Sequence, residues 1–287
     1  MIKNILVLLS ILFCLPMLPV CSDVFSPAFA SSTPSAKIKV VRLGLLVRNS
    51  TNRAIPYPIL FCPAPLETTA NQKLLSLRAS HPFELIGGQS GNRQMRFKFD
   101  EIPPFGTAPI IITAEFSMPA SPETGDDDKK HAQMDQDIPQ AIRHLAKKLQ
   151  GAAPEDTAHN IYKWVSSNIH YQGYRRQVLD PEQLLKIKKG DCSESASLFT
   201  ILCRAAGIEA RMLAGYLCKG SCLLSEADFH NWAEFRLNGQ WHLADPLHKK
   251  FMDPAPNYVA FAVVQPGLEA EPLFTIEGEG LQVGISR

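Results

Sequence analysis

The sequence predicts an α+β protein, because the hydrophobic period changes along the chain. Residues 36–118 carry short runs of alternating or β-branched residues separated by turn signals, a pattern typical of a β-sandwich. From Ile138 onward apolar residues recur at helical spacing, and the strong hairpin signal Asn238-Gly239 follows those helices. We therefore expect a β-sandwich-like N-terminal domain, and a second domain, 138–287, that contains helices and a hairpin.

The first thirty residues predict a secretory signal peptide, 1–30. Lys3 supplies a positive charge, residues 5–15 form a short apolar core, and Ala28-Phe29-Ala30 is a small-x-small cleavage site. We expect cleavage after Ala30 and export of the mature protein, either to the periplasm or out of the cell. No stable membrane insertion is expected once the signal has been removed.

Two other interpretations of this segment are an uncleaved membrane anchor and a lipoprotein. Pro16 and Pro19 interrupt the apolar run, which disfavours a membrane-spanning helix. Cys21 is a candidate for lipidation, but the bulky Val20 precedes it where a small residue is usual. Both interpretations are therefore less favoured than the signal peptide.

Composition and charge are those of an ordinary globular protein. Apolar residues make up 45% of the chain, charged residues make up 20%, and the formal net charge is +1. This balance gives no general affinity for nucleic acid or for anionic membranes, so no nucleic-acid partner is expected.

The cysteine count bears on disulfides and on metal binding. Five cysteines remain after residue 30, so at least one thiol stays unpaired within a monomer. Cys218 and Cys222 in "CKGSC" are close enough in sequence to close a small disulfide loop in an oxidising compartment. The same spacing is compatible with metal binding, but no second pair of this kind is present. We therefore expect no metal site and no cofactor.

Residues 36–118 contain three runs that predict strands: "KIKVVRLGLLVRN", "RQMRFKFDEI" and "APIIITAEF". In the second run Met95, Phe97 and Phe99 alternate with polar and charged residues, so one face of that strand is apolar. No cluster of catalytic residue types occurs in this region. A packing or spacer role is therefore the expectation for the N-terminal domain.

A polar segment, 119–137, separates the two predicted domains. Its sequence "PASPETGDDDKKHAQMDQD" is nearly free of large apolar residues, which is typical of a linker. Asp126, Asp127 and Asp128 suggest a calcium site, but the spaced oxygen ligands and the turn glycine of a calcium loop are missing. A solvated linker is the better interpretation.

The run "GDCSESASLF" places Cys192 at the start of a predicted helix. Apolar side chains recur after it at helical spacing, and Gly207 is a suitable end for the helix. The positive end of a helix dipole favours a thiolate, as a nucleophilic cysteine requires. Because free cysteines are often inert core residues, this position alone leaves both roles open. Cys203, on the apolar side of the same helix, is expected to be a packed thiol.

The hairpin turn brings a histidine and an acid to one face of the sheet. With the two-residue loop Asn238-Gly239, Leu237 faces Gln240, and Trp232 then faces Asp245. His230 therefore lies on the same face as Asp245, as its diagonal neighbour, where the carboxylate can hydrogen-bond the imidazole. A three-residue loop would instead place the two residues on opposite faces. A thiol at a helix start, a histidine and an orienting acid are the groups that nucleophilic acyl transfer needs.

These segments resemble the transglutaminase-like superfamily of papain-type cysteine enzymes. The matching text is "GDCSESASLFTILCRAAGIEARMLAGY" and "HNWAEFRLNGQWHLADP", with "IYKWVSSNIHY" upstream, and it covers about residues 138 to 250. The resemblance implies Cys192 as nucleophile, His230 as general base and acid, and Asp245 as the orienting acid. It also implies a papain-like arrangement, in which the cysteine helix packs on an antiparallel sheet that carries the other two residues. Asn231 departs from the family pattern, where a small apolar residue is common.

The expected activity is thiol-dependent acyl transfer or hydrolysis at an amide bond of a peptide, protein or peptidoglycan peptide. One oxyanion donor is expected to be the backbone N–H of Cys192, and Tyr171 is the favoured candidate for the second. Glu194 suits the helix start, but its charge would oppose a thiolate, so the sequence leaves its role open. Two alternatives are a crosslinking transglutaminase, which uses an amine acceptor, and a non-catalytic envelope binding module. The small size and the absence of evident calcium ligands favour hydrolysis.

Overall fold

The computed structural model describes residues 37–88, 91–118, 138–174, 179–253, 256–266 and 274–286. The predicted signal peptide and the predicted linker lie outside these residues, and the domain boundaries stay predictions. Helices and strands both occur in the described part of the chain, which confirms the α+β prediction. No helix in that part is both long enough and apolar enough to cross a bilayer.

The N-terminal half begins with a sheet built on one long antiparallel pair of strands. β1 (Lys37–Asn49) pairs along almost its whole length with β8 (Thr107–Met118), and β4 (Lys73–Ala79) pairs with the other edge of β8. A second sheet has β6 (Arg93–Lys98) between β3 (Ile59–Pro63) and β5 (Phe83–Gly87). The short strands β2 (Ile55–Pro56) and β7 (Glu101–Ile102) pair with each other.

Side-chain alternation directs one row from each sheet into a shared core. Leu43, Leu45 and Val47 of β1 are buried, as the period of two predicts. Met95 and Phe97 of β6 are fully buried in the same cluster, on the face that the sequence predicts. The two sheets therefore enclose one hydrophobic core, and the β-sandwich prediction is confirmed.

The C-terminal strands belong to this sandwich. β17 (Thr275–Glu277) pairs with β3, and β18 (Leu281–Ile285) pairs with the second half of β1. β12 (Cys222–Leu223) pairs in parallel with the first half of β1. The two strands together cover an edge of β1 that would otherwise offer unpaired backbone groups. The run "LQVGIS" therefore extends the sandwich.

Four helices occur in the described second half: α1 (Gln140–Lys148), α2 (Pro154–Asn168), α3 (Pro181–Ile187) and α4 (Cys192–Ala205). α2 begins at Pro154 as predicted, and the Asp156 carboxylate accepts a hydrogen bond from the backbone N–H of Ala153. Asp180 caps α3 by accepting from the N–H groups of Glu182 and Gln183. Between these helices, β9 (His170–Tyr171) and β10 (Lys189–Gly190) form a short parallel pair.

The helices pack on a five-stranded sheet with the order β15-β14-β13-β11-β16. Its strands are β11 (Ala210–Leu217), β13 (Phe229–Leu237), β14 (Gln240–Asp245), β15 (Lys250–Phe251) and β16 (Tyr258–Val264), and each pair of neighbours is antiparallel.

The two faces of this sheet carry different residues. On the helix-covered face, Ala233, Phe235, Leu237 and Ala244 join the core formed with the helices. On the opposite face, which we call the polar face, strand alternation places His230, Trp232, Glu234 and Asp245 together. All four are buried, so other parts of the chain must shield the polar face from solvent.

A loop of the N-terminal half, residues 64–72, provides part of that cover. The backbone N–H of Leu66 donates to the Ala260 carbonyl, and the Gln72 side-chain amide exchanges hydrogen bonds with both backbone groups of Ala260. The backbone N–H of Ala70 donates to the Glu234 carboxylate at 2.9 Å. The sandwich thus supplies hydrogen-bond partners to polar groups at the back of the five-stranded sheet.

Candidate active site

Cys192 is the first residue of α4, as the sequence predicts. Asp191 caps this helix, because its side chain accepts a hydrogen bond of 2.7 Å from the backbone N–H of Ser193. Glu194 reaches back to accept from the N–H of Asp191, also at 2.7 Å, and completes a capping box. The helix start that presents the thiol is therefore held by two reciprocal hydrogen bonds.

Glu194 also connects this helix start to the chain before α3. Its second carboxylate oxygen lies 3.3 Å from the backbone N–H of Leu179, and its side chain is buried. Burial and the neighbouring Asp191 raise the pKa of Glu194, which favours its neutral form. Glu194 therefore has a structural role at the helix start, where it accepts hydrogen bonds from two backbone N–H groups, a role that the sequence left open.

Glu194 lies so close to residue 190 that there is no room for a side chain larger than that of glycine at this position. A Cβ atom added to Gly190 would lie 2.7 Å from the Glu194 Cβ, well inside van der Waals contact. The structure thus indicates a steric reason for the glycine.

The hairpin has the register that the sequence predicts. Leu237 pairs with Gln240 across the turn, and Ala233 pairs with Ala244 farther along the strands. Asn238 and Gly239 both have positive φ angles, of 52° and 80°, as a type I′ turn requires. The two-residue loop is confirmed, and with it the placement of His230 and Asp245 on one face.

His230 and Asp245 form a buried hydrogen-bonded pair. The His230 Nε2 atom lies 2.7 Å from the Asp245 Oδ2 atom, and the two side chains are 5% and 1% exposed. This contact uses Nε2 of the imidazole, so Nδ1 is the ring nitrogen left for another partner.

Asp245 has two further side-chain partners that sequence reasoning missed. The Tyr258 hydroxyl donates to Oδ2 at 2.7 Å, and the His248 Nδ1 atom lies 2.9 Å from the same oxygen. The backbone N–H of His248 donates to Oδ1 at 3.0 Å. Burial would raise the pKa of Asp245, but the hydrogen bonds from His230 and His248 bring it below its usual range. Asp245 is therefore a carboxylate at neutral pH.

The sequence contains a local signal for His248 as a partner of Asp245, but none for Tyr258. His248 follows Asp245 by three residues, across Pro246, so an Asp-Pro turn with a nearby histidine was a visible signal. Tyr258 lies on β16, which is separated from β13 by β11, and no local pattern connects it to Asp245.

The structure places Cys192 beside the start of β13. The backbone N–H of Asn231, the residue after His230, donates a hydrogen bond to the Cys192 sulfur. The Asn231 side-chain amide donates to the Ser193 hydroxyl at 2.7 Å, a second contact between the strand and the helix start. The thiol and the His230–Asp245 pair thus come from elements that touch at this point.

Burial raises the pKa of the Cys192 thiol, while the Asn231 N–H favours the thiolate and the Asp191 charge opposes it. In this environment burial opposes the preference of the helix start for a thiolate. A half-buried thiol with a raised pKa needs a base to remove its proton.

The other free cysteines among the described residues are Cys62 and Cys203, and both are buried. Burial raises the pKa of Cys62 to about 12 and also raises that of Cys203. The predicted packing of Cys203 is confirmed. Cys218 and Cys222 form a disulfide, with their Cα atoms 6.2 Å apart.

Tyr171 lies on β9, alongside Gly190 on β10, and the backbone N–H of Gln172 donates to the Gly190 carbonyl. Tyr171 is 61% exposed, and its role as oxyanion donor stays a prediction. Trp164 of α2 packs against the helical core.

One group of possible metal-ligand side chains is found among the described residues: His230, Asp245 and His248, whose ligand atoms lie within 4.8 Å of one another. These atoms are already at hydrogen-bond distance from one another. Hydrogen bonding therefore explains the cluster without an ion.

A cysteine at a helix start, packed on an antiparallel sheet that carries a buried histidine–aspartate pair, defines a papain-like arrangement. Residues 143–246 match the model of the transglutaminase-like superfamily. The likeness to this superfamily thus covers the segment that carries Cys192, His230 and Asp245.

Two curated relatives align with part of this region. Human kyphoscoliosis peptidase is 33% identical over 95 residues, which cover 30% of this chain and 14% of the human protein. The peptide-N(4)-(N-acetyl-beta-glucosaminyl)asparagine amidase of Oryza sativa subsp. japonica is 34% identical over 98 residues, or 33% of this chain and 19% of the amidase. The alignments thus span less than a fifth of either relative.

A solved structure with the same fold covers both halves of the chain. The crystal structure of a candidate cysteine protease from Cytophaga hutchinsonii has a TM-score of 0.55 and 20% sequence identity, over 88% of this chain and 90% of that one. At this identity the likeness concerns the fold alone.

Proposed function

We propose that the protein hydrolyses amide bonds of peptide or protein substrates, with Cys192 as nucleophile, His230 as general base and acid, and Asp245 as the orienting acid. The observation that carries the proposal is the buried His230–Asp245 pair at 2.7 Å beside the start of α4. The peptidase and amidase names of the two relatives support hydrolysis as the reaction.

The first step is attack on the amide carbonyl. His230 Nδ1 takes the proton of the Cys192 thiol, the sulfur bonds to the carbonyl carbon, and the C=O π electrons move to the oxygen. This proton transfer is needed because burial keeps the thiol protonated. Asp245 holds the ring through Nε2 and stabilises the imidazolium that forms.

The negative oxygen of the tetrahedral intermediate requires hydrogen-bond donors. Because the first N–H groups of a helix have no intrahelical acceptor, the backbone N–H of Cys192 at the start of α4 is suited to this role. Tyr171, on the strand beside Gly190, remains our candidate for the second donor.

The intermediate then collapses to a thioester. The oxyanion restores the C=O bond, the C–N bond breaks, and His230 gives its proton to the departing amine. Water next gives a proton to His230 and bonds to the carbonyl carbon. The C–S bond breaks, the sulfur recovers the proton, and a carboxylic acid is released. With an amine in place of water, the same steps produce a crosslink.

Export is part of the proposal, because it determines which substrates the enzyme meets. The Cys218–Cys222 disulfide supports an oxidising compartment. Together with the predicted signal peptide, it makes envelope proteins and peptidoglycan peptides the substrate classes that we propose.

A cleavage experiment tests the reaction. We would incubate the purified protein with peptidoglycan stem peptides and with casein, with and without a labelled primary amine, and follow masses. We expect cleavage or deamidation by the wild type and no product from Cys192→Ala. Incorporation of the labelled amine in place of water would instead indicate a crosslinking enzyme.

Thiol alkylation tests the nucleophile without a substrate. In folded protein, iodoacetamide should modify Cys192 much faster than Cys62 or Cys203, with peptide masses locating the modification. Equal rates for Cys192 and the buried Cys203 would contradict the assignment and favour the non-catalytic binding module. Full activity in Cys192→Ala would also contradict it, because another group would then have to be the nucleophile.

A further inference from the structure

Asp245 is shared by two histidines. His230 Nε2 and His248 Nδ1 both lie at hydrogen-bond distance from the same carboxylate oxygen, at 2.7 Å and 2.9 Å. The two nitrogen atoms are 3.1 Å apart, and the ring centroids are 4.4 Å apart. A charge on either ring is therefore felt directly by the other.

The two histidines differ in exposure. The His230 side chain is 5% exposed, whereas the His248 side chain is 46% exposed. His248 can thus exchange protons with solvent while His230 is enclosed. A proton on His248 places a positive charge beside the nitrogen through which Asp245 stabilises a charged His230.

We propose that His248 is a positioning residue whose protonation suppresses formation of the Cys192 thiolate–His230 imidazolium pair at mildly acidic pH. The inference rests on the proposed function, since it concerns how readily His230 accepts the proton of the thiol. When His248 is neutral, the Asp245 carboxylate charge stabilises the protonated form of His230. When His248 is protonated, it interacts with the same charge and weakens that stabilisation.

Several titratable groups surround His248. On the sheet these are Asp245, His230 and Tyr258, and Tyr162 of α2 interacts electrostatically with Asp245. Lys249 follows His248 directly, Lys250 begins β15 and Asp253 follows that strand, with the Lys250 and Asp253 side chains 3.6 Å apart. Asp245 contacts both imidazoles at hydrogen-bond distance, so the competition takes place there.

The sign of the pH effect follows from the same contacts. The hydrogen bond with Asp245 raises the pKa of His248 above its ordinary value of 6.5, with burial acting in the opposite direction. His248 is therefore charged below this raised pKa and neutral above it. The reactivity of Cys192 should fall as the pH drops through that value.

The test uses iodoacetamide modification of Cys192, measured by peptide mass between about pH 5 and pH 8, the range in which histidines titrate. His248→Gln removes the titrating charge. Tyr258→Phe is the matched control, since it also removes one partner of Asp245 Oδ2 but carries no charge in this range. His144→Gln, an exposed histidine on α1, controls for loss of a histidine elsewhere.

We expect the rate of Cys192 modification to fall over the same acidic pH range in the wild type and in Tyr258→Phe, whatever the two rates are near neutral pH. His248→Gln should keep about tenfold more of its neutral-pH rate at about pH 5.5, because one pKa unit corresponds to a factor of ten. His144→Gln should follow the wild type. His248→Lys, which stays charged throughout this range, should be slow even at about pH 7.5 and decides the question if His248→Gln does not fold.

An unchanged acid limb in folded His248→Gln would overturn the inference, as would an equal shift in Tyr258→Phe. Rapid alkylation of His248→Lys at neutral pH would also overturn it. Failure of the proposed function looks different, because Cys192 in the wild type would then react no faster than Cys203 at any pH.

Discussion

The two faces of the five-stranded sheet differ in what they bury. On the helix-covered face, Phe235 lies against Phe199 of α4 and Phe251 of β15, with ring centroids 5.7 Å and 5.2 Å apart. On the polar face, the same strand places His230 and Glu234 among hydrogen-bond partners. The comparison teaches that one strand, by alternation, can provide both an apolar core and a site for proton transfer.

The polar face holds two buried carboxylates, Glu234 and Asp245, whose hydrogen-bond partners differ. Glu234 is paired with Arg211 through two contacts of 3.0 Å and 2.7 Å, and the Arg211 guanidinium lies 4.1 Å from the Trp241 ring centroid. Arginine keeps its charge at all relevant pH values, so this pair is structural. Asp245 has histidine partners, which can gain and lose protons, and it is therefore the carboxylate suited to catalysis.

The largest expected effect is that of Asp245→Asn, which tests the catalytic use of the polar face. Loss of the charge that orients and stabilises His230 should lower turnover of the substrate found in the cleavage experiment by about 10³- to 10⁴-fold. Steady-state kinetics and thermal unfolding measure the two consequences. Turnover within tenfold of the wild type, in a folded variant, would remove Asp245 from the mechanism.

Phe235→Ala tests the helix-covered face. The side chain is fully buried, so its removal should lower the free energy of unfolding by about 3 to 5 kcal/mol through lost burial and a residual cavity. Urea unfolding measures this change. The alkylation rate of Cys192 at low temperature should stay close to that of the wild type, and a large loss there in folded protein would show that the two faces are not separable.

Glu234→Gln tests whether the second carboxylate is structural. It leaves Arg211 buried without a counter-charge, and we expect a loss of about 3 kcal/mol of stability. Adding Arg211→Met should recover part of that loss, because both charges are then removed. Cys192 reactivity should be unaffected in either folded variant. No recovery in the double variant would argue against the ion-pair explanation.

Gly190→Ala is expected to have the smallest effect, at the point where the helix start meets the sheet. The added methyl group meets Glu194 at 2.7 Å, and the resulting overpacking should cost about 1 to 3 kcal/mol. Urea unfolding again measures the cost. Gly207→Ala, at a glycine with open space but a φ angle of 79°, separates steric contact from backbone strain.

Much of the site could be predicted because its signals are local. The Asn238-Gly239 turn determines the strand register, and the register determines that His230 and Asp245 share a face. The helix start at Cys192 follows from hydrophobic spacing and from Asp191 as its cap. The strands of the sandwich follow from alternation in the same way.

Other features could not be predicted, because they depend on contacts between residues far apart in sequence. Gln72 bonds to Ala260, Lys39 donates to the carbonyl of Cys218, and β18 pairs with β1 across more than two hundred residues. Such partners are chosen by how the sheets pack, and no period or turn signal encodes them.

By itself, the sequence determined the α+β class, the helix that begins at Cys192, and the turn that sets His230 and Asp245 on one face. Each of these depends on interactions within a few residues or across one hairpin. The tertiary structure alone decided that Tyr258 and His248 share Asp245, that burial raises the pKa of the Cys192 thiol, and that the sandwich covers the polar face. Burial and hydrogen-bond partners of this kind exist only once distant segments have packed together.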